Sequence, residues 1–208
     1  MPLHVTLSSL SHLHVVLWHL TEDVAGLLAL WGNAGLPARY HEAVTDKRRR
    51  EILATHLVMR HYYGGDVALS HRPDGSPYTD RGFISVSHTA RYVAVAFSSQ
   101  GRVGVDVEMI GRKAPRAAVR FLQPAELEQL PADARDEAAH ICWAAKEVAY
   151  KLYPDEAADF SQAITLSPVV QMPHGSLTAR IGHDEPHIIT VCYSLCDEYV
   201  LAYAQEPA

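Results

Sequence analysis

The chain has 208 residues, of which 48% are hydrophobic and 20% are charged. These values are ordinary for a globular protein, and the length suffices for one domain or two small lobes with their own cores. An excess of 24 acidic over 18 basic residues gives a net charge of −6, which argues against general nucleic-acid binding. No stretch approaches the roughly eighteen apolar residues that a membrane span needs, so no membrane partner is expected.

The first half of the chain reads as strands and helices in alternation. Its apolar patterns predict strands at residues 13–20, 83–86 and 92–97, a short helix at 24–32 and a longer helix at 46–63. Gly64 and Gly65 mark the end of the longer helix, and residues 73–77 read as a turn. Ser87 and His88 are expected in the short loop between the last two strands.

The second half repeats this alternation. We predict a strand from Gly104, helical segments at residues 117–122 and 138–153, and late strands at 177–181, 188–195 and 199–204. Residues 54–60 also align without gaps with residues 145–151. We therefore expect an α/β (α+β) fold of two similar lobes, residues 1–100 and 101–208, each a small, mainly antiparallel sheet packed with a long helix.

A short acidic strand opens the second half. Val105 and Val107 are β-branched and alternate with Asp106 and Glu108, so the two carboxylates should project from one face while the valines enter the core. The alternative is that both carboxylates form the solvated face of an edge strand.

The helix at residues 138–153 carries a second polar group of side chains. Its spacing places five residues on one face: Trp143, Lys146, Glu147, Tyr150 and Lys151. If this face meets the acidic strand, three carboxylates converge with a lysine one turn beyond, as a divalent cation and a phosphate-bearing substrate require. With no thiolate or histidine set nearby, Mg²⁺ or Mn²⁺ is favoured over zinc. The alternative is a solvated i,i+4 pair of Glu147 and Lys151, worth a few tenths of a kcal/mol.

Cysteine and histidine usage adds two expectations. Cys142, Cys192 and Cys196 do not make a disulfide framework and suit a reducing compartment, so we expect a cytoplasmic protein. The 13 histidines are scattered without a recognisable metal-ligand spacing, so a histidine metal site is not expected.

These motifs occur in an order that resembles a known family. The motifs are Arg72-Pro73-Asp74-Gly75-Ser76-Pro77-Tyr78, Ile84-Ser85-Val86-Ser87-His88, Gly104-Val105-Asp106-Val107-Glu108, Phe121-Leu122-Gln123-Pro124-Ala125-Glu126 and the helix from Trp143 to Lys151. The chain resembles the 4'-phosphopantetheinyl transferases, in particular the surfactin-type group that acts as a single two-lobed chain. Val148 departs from the small residue usual in the family's helix.

The resemblance implies a pseudo-dimer of two α/β lobes in one monomer, with the ligand in the cleft between them. It implies Mg²⁺-dependent transfer of 4'-phosphopantetheine from coenzyme A to a serine of an apo acyl or peptidyl carrier protein. Asp106, Glu108 and Glu147 would hold the metal. Glu147 would also accept the serine proton, directly or through a metal-bound water, and Lys151 would neutralise the pyrophosphate or the leaving group.

The phosphates of coenzyme A need basic partners in addition. By the resemblance, Ser87 and His88 would meet phosphate oxygens. Residues 47–50, Lys-Arg-Arg-Arg, open the longer helix at its positive end, where cations are unfavourable unless an anion binds. Arg49 or Arg50 would then bind the 3'-phosphate; the alternative is a solvated basic turn.

Two departures keep other functions open. Ser76 stands where the family has a phosphate-reaching lysine, and His56 stands where many relatives have arginine. Both changes remove positive charge, so a non-catalytic relative that binds coenzyme A or a carrier protein is an alternative. An unrelated magnesium-dependent phosphohydrolase is another. The carrier, whether of fatty-acid, polyketide or nonribosomal peptide synthesis, is not specified by the sequence.

Overall fold

The computed structural model describes residues 3–10, 12–169 and 171–207, with side chains described from residue 12 onward. The chain divides into two compact units, residues 1–99 and 100–208. Each unit contains an antiparallel sheet and an 18-residue helix. The predicted α+β class is therefore confirmed. In the part of the chain described, no helix has the length and apolar character needed to cross a membrane.

The first unit is built on a four-stranded sheet. Its elements are β1 (Leu3–Leu10), β2 (Leu13–His19), α1 (Val24–Trp31), α2 (Ala38–Glu42), α3 (Asp46–Tyr63), β3 (Ser70–His71), β4 (Pro77–Tyr78), β5 (Phe83–His88) and β6 (Tyr92–Ser98). The sheet order is β1-β2-β6-β5 with antiparallel neighbours, and β3 and β4 form a separate short hairpin.

Helix α3 has the predicted bounds because both of its ends carry clear capping signals. The Thr45 hydroxyl accepts a hydrogen bond from the Arg48 amide at the N-terminus, and Gly64 takes the left-handed conformation (φ 71°) at the C-terminus. Its apolar face, with Leu53 and Val58 fully buried, joins the core of the first unit. The polar face is left available for the basic residues of the first turn.

The second unit has a five-stranded sheet. Its elements are β7 (Val103–Met109), α4 (Lys113–Phe121), α5 (Pro124–Glu128), α6 (Arg135–Leu152), β8 (Ile164–Leu166), β9 (His174–Ile181), β10 (His187–Leu195) and β11 (Tyr199–Gln205). The sheet order is β7-β11-β10-β9-β8, again with antiparallel neighbours. The acidic strand β7 is therefore an edge strand of its sheet.

One expectation about the first unit is wrong. Ser87 and His88 do not lie in a loop but end strand β5, opposite Ala94 and Val93 of β6. The pairing continues to the end because Thr89 closes the hairpin: its amide donates to the Tyr92 carbonyl, and its hydroxyl accepts from the Arg91 and Tyr92 amides. Since neighbouring strand residues alternate faces, Ser87 and His88 point to opposite sides.

Candidate functional site

Strand β7 and helix α6 approach closely at Gly104. A Cβ atom at this position would lie 2.8 Å from the Val148 carbonyl oxygen and 3.3 Å from Leu152. Only a residue without a side chain permits this approach, so the glycine of the acidic motif has a packing reason. Asp106 and Glu108 follow Gly104 at intervals of two and therefore share the face that meets α6.

The burial of β7 differs from the simple prediction. Val105 and Val107 are buried, as expected, but Asp106 on the opposite face is also only 6% exposed. The strand is thus buried on both faces at this point, and the solvated-edge interpretation does not apply to Asp106. A buried carboxylate needs a partner or a bound cation, because burial penalises an isolated charge.

Lys151 supplies one such partner. Its Nζ lies 2.8 Å from Asp106 Oδ1 and donates at the same distance to the Val105 carbonyl oxygen. The ion pair is partly buried, with side-chain exposures of 25% for the lysine and 9% for the aspartate. The last turn of α6 is therefore joined to the acidic strand by a charged hydrogen bond as well as by packing.

The other two carboxylates, Glu147 and Glu108, both have raised pKa values. Burial and the neighbouring charge of Asp106 raise the pKa of Glu147, an effect that Lys151 only partly opposes. Burial and Asp106 likewise raise the pKa of Glu108, against the opposing charge of Lys113. The three acidic side chains are thus close enough to act on one another. We call Asp106, Glu108 and Glu147 the carboxylate cluster.

The carboxylate cluster fits a hard cation in its donor chemistry. It offers only oxygen ligands, and burial together with repulsion from Asp106 raises the pKa of Glu108 and of Glu147. A divalent ion would offset that repulsion. Among the residues described, however, no group of three acidic, histidine or cysteine side chains is already placed to hold a metal. Lys151 engages Asp106 in this arrangement. The three-carboxylate ligand set remains a prediction.

Lys146, the neighbour of Glu147 in the helix motif, has a structural role. Its side chain is fully buried, and Nζ donates to Glu126 Oε2 and to the carbonyl oxygens of Phe121 and Ile164 at 2.7 to 3.0 Å. Glu126 in turn accepts from the Gln123 and Leu166 amides. This network links α4, α5, α6 and β8, so the motif lysine and the upstream glutamate form a framework ion pair.

Trp143 is also part of the framework. Its ring contacts Phe121 edge-on with a centroid distance of 5.0 Å, and Phe160 at 5.5 Å. Such aromatic contacts add to the burial of a large apolar side chain. The tryptophan of the motif therefore helps to seat α6 rather than adding a polar group to the carboxylate cluster.

The first unit contains a pocket lined mainly by polar side chains. We call it the basic pocket; its charged and histidine lining residues are Arg39, Arg48, Glu51, His56, His71 and His88. Within it Glu51 accepts from Arg48 at 3.1 Å, and its other oxygen lies 3.4 Å from His88 Nδ1. The surplus of basic groups over this one carboxylate suits an anionic ligand.

Of the residues predicted to bind the phosphates of coenzyme A, only one lines the basic pocket. His88 lines the basic pocket, whereas Ser87 lies on the other face of β5. Arg49 pairs with Asp46 at 3.0 Å, and Arg50 donates to the Leu20 and Glu22 carbonyl oxygens. Neither arginine lines the pocket, and Arg48 does so instead.

Arg39 and His71 also line the pocket, although no sequence pattern predicts them there. Arg39 belongs to the short helix α2 and His71 to the two-residue strand β3, and neither element has a strong sequence signal. Ser76, in the place of the family's lysine, hydrogen-bonds through its hydroxyl and amide to Asp74. Ser76 itself therefore adds no positive charge to the turn, and the nearby cation is Arg72, whose guanidinium lies 3.4 Å from the Ser76 hydroxyl.

A comparison with known families finds a match that covers most of the second unit. Residues 102–204 match the model of the 4'-phosphopantetheinyl transferase superfamily. Residues 102–204 are therefore similar to the domain of this transferase superfamily, and they include the whole carboxylate cluster together with Lys146 and Lys151. The superfamily domain supports a general role in phosphopantetheine transfer. A search among curated proteins finds no match to the chain.

Proposed function

We propose that the protein transfers the 4'-phosphopantetheine group of coenzyme A to a serine hydroxyl of an apo acyl or peptidyl carrier protein, in a Mg²⁺-dependent reaction that breaks the pyrophosphate bond and releases adenosine 3',5'-bisphosphate. The observation that carries this proposal is the superfamily match over residues 102–204, within which Asp106, Glu108 and Glu147 act electrostatically on one another. We assign the chain to the surfactin-type group and expect it to act as a cytoplasmic monomer.

In this proposal Asp106, Glu108 and Glu147 hold the metal ion. When bound, Mg²⁺ would offset the negative charge of the pyrophosphate during attack by the serine oxygen. The three carboxylates supply oxygen ligands of the kind magnesium prefers, and Mn²⁺ would fit the same set. Lys151, which now contacts Asp106, is long enough to meet an anionic oxygen of the substrate instead.

Glu147 is our candidate for the group that accepts the serine proton. A general base works best when its pKa lies near the working pH, and burial together with Asp106 raises the pKa of Glu147 in that direction. Its position in the middle of α6, between the buried residues Lys146 and Val148, gives the carboxylate a rigid support. Lys151 then stabilises charge on the leaving group.

We propose that the basic pocket binds phosphate groups of coenzyme A. Arg48 and His88 are the best candidates because they line the pocket and lie 3.3 Å apart, so that one phosphate could contact both. Arg49 and Arg50 do not line the pocket, and this favours Arg48 for the 3'-phosphate. Ser87 remains a candidate for a separate substrate contact on the other face of β5.

One experiment tests the proposal directly. The protein is incubated with coenzyme A, Mg²⁺ and a panel of apo carrier proteins from fatty-acid, polyketide and peptide synthesis, and the intact mass of each carrier is measured. A mass gain equal to phosphopantetheine on one carrier is expected, and it should disappear when EDTA is added. Binding of coenzyme A without a mass gain on any carrier would instead support a non-catalytic relative, the alternative that the loss of the turn lysine favours.

A further inference from the structure

Two arginine–histidine pairs line the basic pocket. Arg39 on α2 hydrogen-bonds through NH1 to Nε2 of His71 on β3, and Arg48 on α3 lies 3.3 Å from Nε2 of His88 on β5. The first pair thus connects α2 with the β3–β4 hairpin, and the second connects α3 with the β5–β6 hairpin. In both pairs the guanidinium faces the Nε2 atom of its histidine.

The Arg39 contact determines the protonation state of His71. A guanidinium can only donate hydrogen bonds, so Nε2 of His71 must accept and carries no proton while the contact lasts. Burial and the positive charges of Arg39 and Arg48 also lower the pKa of His71. While Arg39 makes this contact, therefore, His71 is neutral and adds no charge for an anion.

Two other titratable groups of the pocket, His56 and Glu51, do not supply that missing charge. Burial and the neighbouring His71 lower the pKa of His56 to about 4, against the opposing charge of Asp66, so His56 is neutral near pH 7. Glu51 is engaged by Arg48 and His88. Arg48 and Arg39 are thus the permanent cations that face His71, from α3 and α2.

We propose that Arg39 and His71 form a further determinant of coenzyme A binding, in which a bound phosphate draws Arg39 away from Nε2 and that nitrogen takes up a proton from solvent. The protonated imidazole then donates to the phosphate beside the guanidinium. The inference rests on the proposed function, since coenzyme A is the ligand. It adds residues from α2 and β3 to the site and makes binding dependent on pH.

The direction of the pH dependence follows from charge. A bound phosphate stabilises the protonated imidazole, so the pKa of His71 is higher in the complex than in the free protein. Affinity is then greatest at low pH and falls as the pH rises, by at most about tenfold per pH unit for one proton. Between pH 6.5 and 8 the phosphate itself is mostly dianionic, since its second pKa is about 6.

Calorimetric titration of the full chain with coenzyme A tests the inference. Dissociation constants at pH 6.5 and 8.0, and binding heats at pH 7.0 in two buffers of different ionisation enthalpy, give the affinity change and the protons taken up. The test variant is His71→Gln, whose amide accepts from Arg39 but does not titrate, with His71→Ala as a second variant. His61→Gln is the matched control, because His61 is exposed at the end of α3 and does not line the pocket.

We expect His71→Gln to weaken binding about tenfold at pH 6.5, little at pH 8.0, and to take up fewer protons than wild type. His61→Gln should match wild type in all three measurements. Equal proton uptake by wild type and both His71 variants, with tight coenzyme A binding, would overturn the inference and leave the proposed function intact. Absence of coenzyme A binding to the wild-type protein at both pH values would contradict both.

Discussion

The Nζ atom of Lys151 lies 2.8 Å from Asp106 Oδ1, and this contact reaches from the last turn of a helix to an edge strand. The local sequence pattern pairs Lys151 with Glu147 one turn earlier, and Lys151 does act on Glu147 through its charge. The hydrogen bond, however, goes to the strand. The three carboxylates are therefore not equivalent: one is stabilised by a lysine and two have raised pKa values.

This difference predicts opposite effects of two substitutions. Asp106→Ala removes the partner of a partly buried lysine and should lower the free energy of unfolding by about 1–3 kcal/mol. Glu108→Ala removes a carboxylate destabilised by burial and by Asp106, so the free energy of unfolding should stay equal or rise. Urea denaturation without added metal measures both values. If our metal assignment is right, both variants lose carrier modification, and full activity in either one contradicts it.

Glu147→Gln should separate catalysis from stability. The substitution keeps the size of the side chain but removes the base and metal ligand, and we expect the rate of carrier modification to fall by a factor of about 10² or more. Mass spectrometry of the carrier over time gives the rate. An unchanged rate at saturating coenzyme A and Mg²⁺ would show that Glu147 is part of the scaffold.

The same variant has a predicted pH signature. Because the folded-state pKa of Glu147 is raised above 4.5, the folded protein binds this proton more tightly than the unfolded chain. The favourable contribution is therefore complete below the unfolded pKa and is lost as the pH rises through the folded value. Glu147→Gln should melt at a higher temperature than wild type at pH 7 without metal, and this difference should shrink toward pH 4. A difference that is independent of pH would contradict the raised pKa.

Lys146 should matter for folding far more than for chemistry. Lys146→Met leaves Glu126 as a buried charge without its cation and should cost about 3–5 kcal/mol of stability. Adding Glu126→Gln removes that charge, so the double variant should recover part of the loss. Chemical denaturation of wild type, Lys146→Met, Glu126→Gln and the double variant gives the coupling between the two sites. Additive losses would mean that the pair acts as two independent side chains.

Arg48 and Arg50 offer a matched pair of neighbouring arginines. Arg48→Ala should raise the apparent KM for coenzyme A about ten- to a hundredfold through a lost charge-assisted contact, with a smaller effect on kcat. Arg50→Ala should leave KM nearly unchanged and lower the melting temperature, because its guanidinium holds two backbone carbonyl groups. Steady-state kinetics and thermal melts on the same samples decide. A larger KM effect in Arg50→Ala than in Arg48→Ala would assign phosphate binding to Arg50 and the structural role to Arg48.

The sequence was most informative where a residue's role depends on its own element. The bounds of α3 follow from Thr45 and Gly64, and the burial of Val105 and Val107 follows from alternation in a strand. Side-chain contacts between different elements cannot be predicted from such local patterns. The Lys146–Glu126 pair joins residues twenty positions apart in the sequence. In the local sequence pattern, each of the two residues looks like an ordinary solvent-exposed charge.

The basic pocket shows the same limit. The run at residues 47–50 indicates positive charge on the first turn of α3, but which arginine faces the pocket depends on contacts outside the helix. Asp46 holds Arg49, the segment before α1 holds Arg50, and Arg48 is left facing His88. Arg39 and His71 come from elements of five and two residues, which are too short for a periodic signal.

The close approach at Gly104 fixes how near strand β7 and helix α6 lie to each other in the second unit. The Val148 carbonyl oxygen would lie 2.8 Å from a methyl group at this position, a distance so short that strand β7 and helix α6 must move apart. Such a movement would carry Glu147 and Lys151 away from Asp106 together, because all of them depend on the same two backbones. A single methyl group placed on the strand would thus act as a wedge. It would increase the distance between the acidic strand and the charged face of α6 without altering any charged residue of the candidate site.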